Sequence, residues 1–167
     1  MKLMKKMIAA LTLTGLLAAS LGLSAFADDA ANVATLTEQQ VTKHLVMAES
    51  LDVPDAEFSF AVTAVTADAP AVTIGSISYS SADDKGTLST EGVYTVDKSA
   101  DITFGTFPHA GTYEYTVTET TGSAEGITYD STSYTMTVYV ANGSDGALAV
   151  QRIIVEADNG KQYELSF

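Results

Sequence analysis

The sequence predicts an all-β protein, an antiparallel β-sandwich of immunoglobulin-like type that follows an N-terminal export signal. Two observations carry the fold class. Runs rich in Val, Thr, Tyr and Phe recur with a period of two from residue 35 onward, the pattern of strands whose alternate side chains point to opposite faces. Turn clusters separate them at the spacing of a sandwich: SADDKG (81–86), TGSAEG (121–126), NGSDG (142–146) and ADNG (157–160).

The elements follow in chain order. Lys2, Lys5 and Lys6 precede an apolar, uncharged stretch from Met7 to Leu23, and Ala25-Phe26-Ala27 is a small-x-small cleavage pattern. Residues 1–27 therefore read as a secretory signal peptide, a better fit than a membrane anchor because acidic, soluble sequence follows at once. Residues 28–167 are long enough for one domain with a core and too short for two, so a single sandwich domain is expected there. Predicted strands are 35–47, 57–66, 72–80, 87–96, 100–107, 112–119, 132–141, 147–156 and 161–167, with 48–56 a loop closed by Pro54.

Composition bounds the partners. After cleavage, 21 acidic residues face only Lys43, Lys85, Lys98, Arg152 and Lys161, a net charge of −16. Nucleic acid and anionic membrane surfaces are poor partners for such a chain, and no membrane insertion of the mature domain is expected. Exported domains of this size often carry disulfides, yet this one has no cysteine.

Three strands share an oddity. In AGTYEYTVTE (110–119) the row Tyr113, Tyr115, Val117 is apolar and ends on Glu119; in VTKHLVM (41–47) the row Val41, Lys43, Leu45 is interrupted by lysine. A rim carboxylate and an edge-strand lysine that discourages edge pairing explain each strand taken singly. In KQYELSF (161–167) the inward row is Tyr163, Leu165, Phe167; its next member is position 169, and the chain stops before it, which reads as a domain truncated just before the end of its last strand.

The blocks LTEQQVTKHLVM, DAEFSFAVT, ITFGTFPHAGTYEYTVTE and GITYDSTSYTMTVYV resemble the shaft-forming major pilins of Gram-positive bacteria, the streptococcal T-antigen type with its pilin isopeptide-linkage domain. The resemblance implies an intramolecular amide between a first-strand lysine and a last-strand asparagine in a Phe-x-Asn context, assisted by the glutamate that closes YxYxVTE. The matching residues are Lys43, as the amine, and Glu119, as the proton shuttle; the asparagine is expected beyond Phe167. Asn142 and Asn159 sit in turns and do not match. The reaction asks for a neutral amine and a protonated carboxyl, both of which burial among Phe58, Phe60, Phe104, Tyr113 or Tyr115 favours. It happens once per molecule, so the chain is not expected to be an enzyme.

The resemblance also implies linkage to other pilin subunits by a sortase, with Lys161 in the place of the acceptor lysine; a hairpin-turn lysine of no special role fits the position equally. A pilus at the cell wall is the implied location, and the alternative is a surface adhesin of the same fold that binds a host glycan or protein. His44 and His109 read as surface residues, and the acidic clusters (28–29, 52–57, 83–84) as solvated turns rather than calcium loops. No cofactor motif occurs.

Overall fold

The computed structural model describes residues 39–167; the expected signal peptide and residues 28–38 lie outside the described residues. Eleven strands are present and, among the described residues, no helix. They are β1 (Gln40–Ala48), β2 (Ala56–Phe58), β3 (Phe60–Ala64), β4 (Val72–Ile74), β5 (Ile77–Tyr79), β6 (Val93–Phe104), β7 (Gly111–Glu119), β8 (Ser133–Asn142), β9 (Leu148–Ala157), β10 (Gly160–Gln162) and β11 (Leu165–Ser166).

A four-stranded sheet, β11-β1-β6-β4, faces a five-stranded sheet, β10-β9-β8-β7-β3, and β2 pairs with β5 as a small third sheet. The main core lies between the two large sheets: Val41, Ile102 and Leu165 from the first pack with Tyr113, Tyr115, Val117, Met136, Val138 and Val155 from the second. A smaller cluster of Leu45, Met47, Val53, Phe58, Ile77, Tyr79 and Val96 lies beneath the β2–β5 pair. Period-two burial is cleanest in β7 and β8, whose alternate residues are buried from Tyr113 to Glu119 and from Tyr134 to Val140. All pairings are antiparallel except that of β1 with β11.

Five of the predicted strands differ from the sequence expectation. The runs 87–96 and 100–107 are one strand of 12 residues, β6, because Asp97, Lys98 and Ser99 stay in the ladder opposite His44, Lys43 and Thr42. The run 57–66 divides at Ser59, where the chain leaves β5 for β7 as its partner; the run 72–80 divides at Gly75-Ser76, passing from β6 to β2. The run 161–167 divides as well. Gly160, with a φ of 106° that suits glycine, turns the chain from β9 into β10, and Tyr163-Glu164 then cross to the other sheet. Tyr163 is consequently 68% exposed rather than inward, whereas Leu165 and Phe167 are buried as the alternation expects.

Candidate functional site: a lysine and a glutamate between the sheets

Lys43 and Glu119 are the two charged side chains buried among the described residues, 4% and 5% exposed. Each is placed by alternation. Lys43 lies between Val41 and Leu45 on the inward face of β1, and Glu119 ends the inward row of β7. From opposite sheets they meet: Lys43 Nζ is 2.9 Å from Glu119 Oε1 and donates a hydrogen bond of 3.1 Å to Oε2. The rim and edge readings of these residues do not describe this geometry.

Aromatic rings close the site. Nζ lies 4.8 Å from the centre of the Phe58 ring, which packs edge-on against Tyr79 and tilts against Tyr129. Phe60 stands opposite Glu119 in the β3–β7 ladder and packs on Phe167, which packs in turn on Tyr134. Phe104, Tyr113 and Tyr115 are not among the site's walls; they form a separate aromatic group with Phe107. Burial pushes the Tyr115 hydroxyl up to about 12 and raises Tyr79 further, where the nearby charges of Asp97, Asp83 and Glu119 add to the desolvation. Tyr79 stays protonated and donates to the Lys43 and Val96 carbonyls, tying β5 to β1 and β6.

Three neighbours carry no signal in the sequence. Lys98 stands directly opposite Lys43 in the β1–β6 ladder, an unfavourable pairing of like charges. The two ammonium groups diverge: Lys98 Nζ bonds Asp83 Oδ2 and the Ser78 carbonyl, both at 2.7 Å, and leaves Glu119 to Lys43. Lys98 holds the Asp83 carboxyl below its ordinary range. The third neighbour is the backbone of Asp130, whose N–H donates to Glu119 Oε2. The 120–132 loop that delivers it folds back on Tyr129 so tightly that a Cβ at Gly122 would come 2.3 Å from the Tyr129 hydroxyl.

Phe167 also reaches the site. Its N–H donates to the Thr42 carbonyl and its carbonyl accepts from the His44 N–H, so Phe167 lies beside Lys43. A groove runs on from there along β1, lined by Leu45, Met47, Phe58, Ile127, Tyr129 and Asp130 among others. The remaining candidates stand apart. Lys161 is exposed on β10 opposite Glu156. His44 bonds Asp97 on the outer face, and His109 bonds Asp68 across two loops. No group of three or more His, Asp or Glu residues is arranged to hold a metal among the described residues.

Residues 39–167 match the family model described as the Spy0128-like isopeptide containing domain. The chain belongs to this family. Solved structures agree with the assignment. Over 81% of its length the chain resembles a single-residue mutant of the major pilin of Streptococcus pyogenes, with 25% identity and a TM-score of 0.61. Over the same share it resembles the T3.2 major pilin of Streptococcus pyogenes, with 26% identity and a TM-score of 0.59. The T-13 major pilin of the same species, at 20% identity and a TM-score of 0.59, shares the fold. The chain spans about half the length of these pilins, covering 50%, 51% and 53% of them respectively. No curated protein sequence matches it.

Proposed function

We propose that this chain is an exported, cell-wall-linked pilus subunit, joined to other pilin subunits by a sortase, and that it staples itself with an amide. The amide joins Lys43 Nζ to the side chain of an asparagine at the second position after Phe167. The observation that carries the reading is the buried Lys43–Glu119 pair, which draws an amine and a carboxyl into an aromatic enclosure beside the chain's last residue.

Register supports that acceptor position. With Phe167 beside Lys43, a strand continued along β1 places the next inward side chain diagonally across from Lys43, at ~8 Å between Cα atoms for the usual strand spacing and rise. A lysine side chain spans that distance. Amine attack then needs no mobile reactant, and the fold supplies the orientation.

The step balances without a co-reactant. The neutral Lys43 amine attacks the carboxamide carbon while the protonated Glu119 carboxyl hydrogen-bonds its oxygen. A proton passes from Nζ through Glu119 to the departing nitrogen, the C–N bond of the carboxamide breaks, ammonia leaves, and the carboxyl is regenerated.

The test uses the full-length protein. Intact mass falls short of the sequence mass by one ammonia, and tryptic digestion yields a branched peptide containing Lys43. Lys43→Ala and Glu119→Ala each restore the sequence mass. Wild-type protein at full sequence mass overturns the reading.

Lys161 is the sortase acceptor in this proposal. Lys43 is buried, and Lys85 and Lys98 are held by Asp52 and Asp83, whereas Lys161 is exposed. Polymers that persist unchanged in Lys161→Arg cells remove the assignment. The likeness to major pilins favours the structural reading over an adhesin.

A further inference from the structure

The two oxygens of Glu119 are held differently. Oε2 accepts two N–H donors, the Asp130 backbone amide and Lys43 Nζ. Oε1 is buried, lies 2.9 Å from Nζ but outside hydrogen-bonding directions, and has no hydrogen-bond partner. Lys43 Nζ is thus the one polar group at Oε1, whereas Oε2 also has the Asp130 amide. An oxygen that already accepts two donors is the worse place for a carboxyl proton, and Oε1 the better one.

The Asp130 amide does not reach Oε2 by accident of a loose loop. Asp130 Oδ1 accepts from the Thr132 N–H at 2.7 Å, closing an Asx turn, and Tyr129 beside it is fixed against Phe58 and by the Ala124 N–H. We propose that the Asp130–Thr132 turn is the positioning element of the crosslinking site, its backbone N–H pinning Glu119 Oε2 so that Oε1 is the oxygen that carries and delivers the proton. Asp130 touches no reacting atom and acts through Glu119. This inference rests on the amide proposed above.

In the step, Oε1–H donates to the carboxamide oxygen as Nζ attacks; Oε2 keeps its Asp130 donor throughout, so the carboxyl does not rotate when it takes the amine proton and returns one to the leaving nitrogen. Loss of the pin lets the carboxyl turn and removes a charge-assisted donor from its ionised form.

The experiment follows the rate of ammonia loss by intact mass, across pH, in full-length protein recovered unfolded and still at full sequence mass from inclusion bodies and then refolded. Asp130→Pro removes the N–H together with the turn's cap, Asp130→Ala removes the cap alone, and Asp130→Asn keeps both. Folding of each is verified by its circular dichroism. Asp130→Pro is expected to crosslink about tenfold more slowly or worse, in line with a lost hydrogen bond to a charged group. Asp130→Ala is expected to be slowed less, and Asp130→Asn to match the wild type. In Asp130→Pro the alkaline limb of the rate profile moves to higher pH, because the ionised carboxylate has lost a donor. Charged or titratable groups near Glu119 are Lys43 on β1 and Tyr79 on β5, and the loop adds the Asp130 carboxylate, which is turned to the Thr132 N–H. Asp130→Asn removes that last charge, so its unchanged profile assigns the shift to the N–H.

Should Asp130→Pro crosslink at the wild-type rate with an unmoved profile, the positioning role is overturned. A wild type that loses no ammonia instead overturns the amide itself, so the two failures are distinguishable. If the proline variant does not fold, the alanine variant decides: full wild-type rate and profile overturn the inference.

Discussion

An ion pair buried between two sheets is a poor device for stability, since the cost of desolvating both groups offsets much of their attraction. Lys43 and Glu119, with side chains 5% and 0% exposed, are such a pair. In the chain of residues 1–167, Glu119→Ala strands the lysine and should cost ~3–5 kcal/mol in chemical denaturation, whereas the double replacement Lys43→Met with Glu119→Leu should be neutral or stabilising. A double variant as weak as the single one would show that the pair itself holds the sheets together, and the case for a chemical role would lose this support. His109 offers a second measurement at this scale. Nε2 is 2.7 Å from Asp68 Oδ2, and Nδ1 faces the Ala110 carbonyl and the Tyr113 oxygen, whose one proton is donated to the His109 carbonyl. Every neighbour of the ring is an acceptor, so both nitrogens need protons, and the Ala110 carbonyl and Asp68 raise the imidazole above its ordinary value. A raised folded value means stability that is full below the unfolded value of 6.5 and is lost as pH rises through the folded one. Titration of the His109 ring by NMR should therefore have its midpoint above 6.5, and Asp68→Asn should lower it; a midpoint at or below the ordinary value contradicts the assignment.

The end segment Leu165–Phe167 has few ladder hydrogen bonds but buried side chains. Its ladder to β1 is two residues long, extended by the two bonds of Phe167, yet Leu165 is fully buried and Phe167 packs on Phe60 and Tyr134. The Tyr134 hydroxyl also donates to the Ser166 carbonyl. Phe167→Ala should cost ~3–5 kcal/mol if β11 is part of the cooperative unit, and Tyr134→Phe about 1 kcal/mol. Hydrogen exchange that opens β11 without the rest, and a Phe167→Ala cost near zero, would instead make it an appendage. The same element marks where the sequence was legible. Alternation placed Lys43 and Glu119 correctly because each lies in a strand of nine residues, and Leu165 and Phe167 are buried as it expects although their run is broken. It misplaced Tyr163, since a period-two pattern records faces but not the residue at which a chain leaves one sheet for the other. It was silent on Lys98 and Asp130, whose approach to the site depends on a cross-strand register and a loop closure that no local pattern encodes. The site's aromatic walls were half legible: Phe58 and Phe60 face the pair, while Phe104 and Tyr115 pack at a distance for want of any signal of height within the core.

At the scale of the whole molecule, direction of the strands decides how force passes. β11 runs parallel beside β1, so the start of β1 and Phe167 face opposite ends of the strand pair. Tension applied before β1 and after Phe167 therefore shears β11 from β1, and a ladder so short resists little. With an amide from Lys43 to the second position beyond Phe167, the covalent path instead passes through residues 39–43 and straight out, and every residue between the two bonded ones is bypassed. That bypass has a length. Roughly 125 residues at 3.3–3.6 Å each hold on the order of 400 Å of slack, which an unlinked domain releases when it unfolds and a linked one cannot. Pulling single full-length molecules should accordingly show no such extension event from this domain in the wild type. Glu119→Ala, which keeps both side chains of the proposed amide and lacks the proposed proton carrier, should show it in every trace. Slack of that size released by the wild type would mean that no covalent path joins the entering and leaving strands. Equal silence from Glu119→Ala would mean that the bond forms without Glu119, and the role of the buried carboxyl would have to be sought elsewhere.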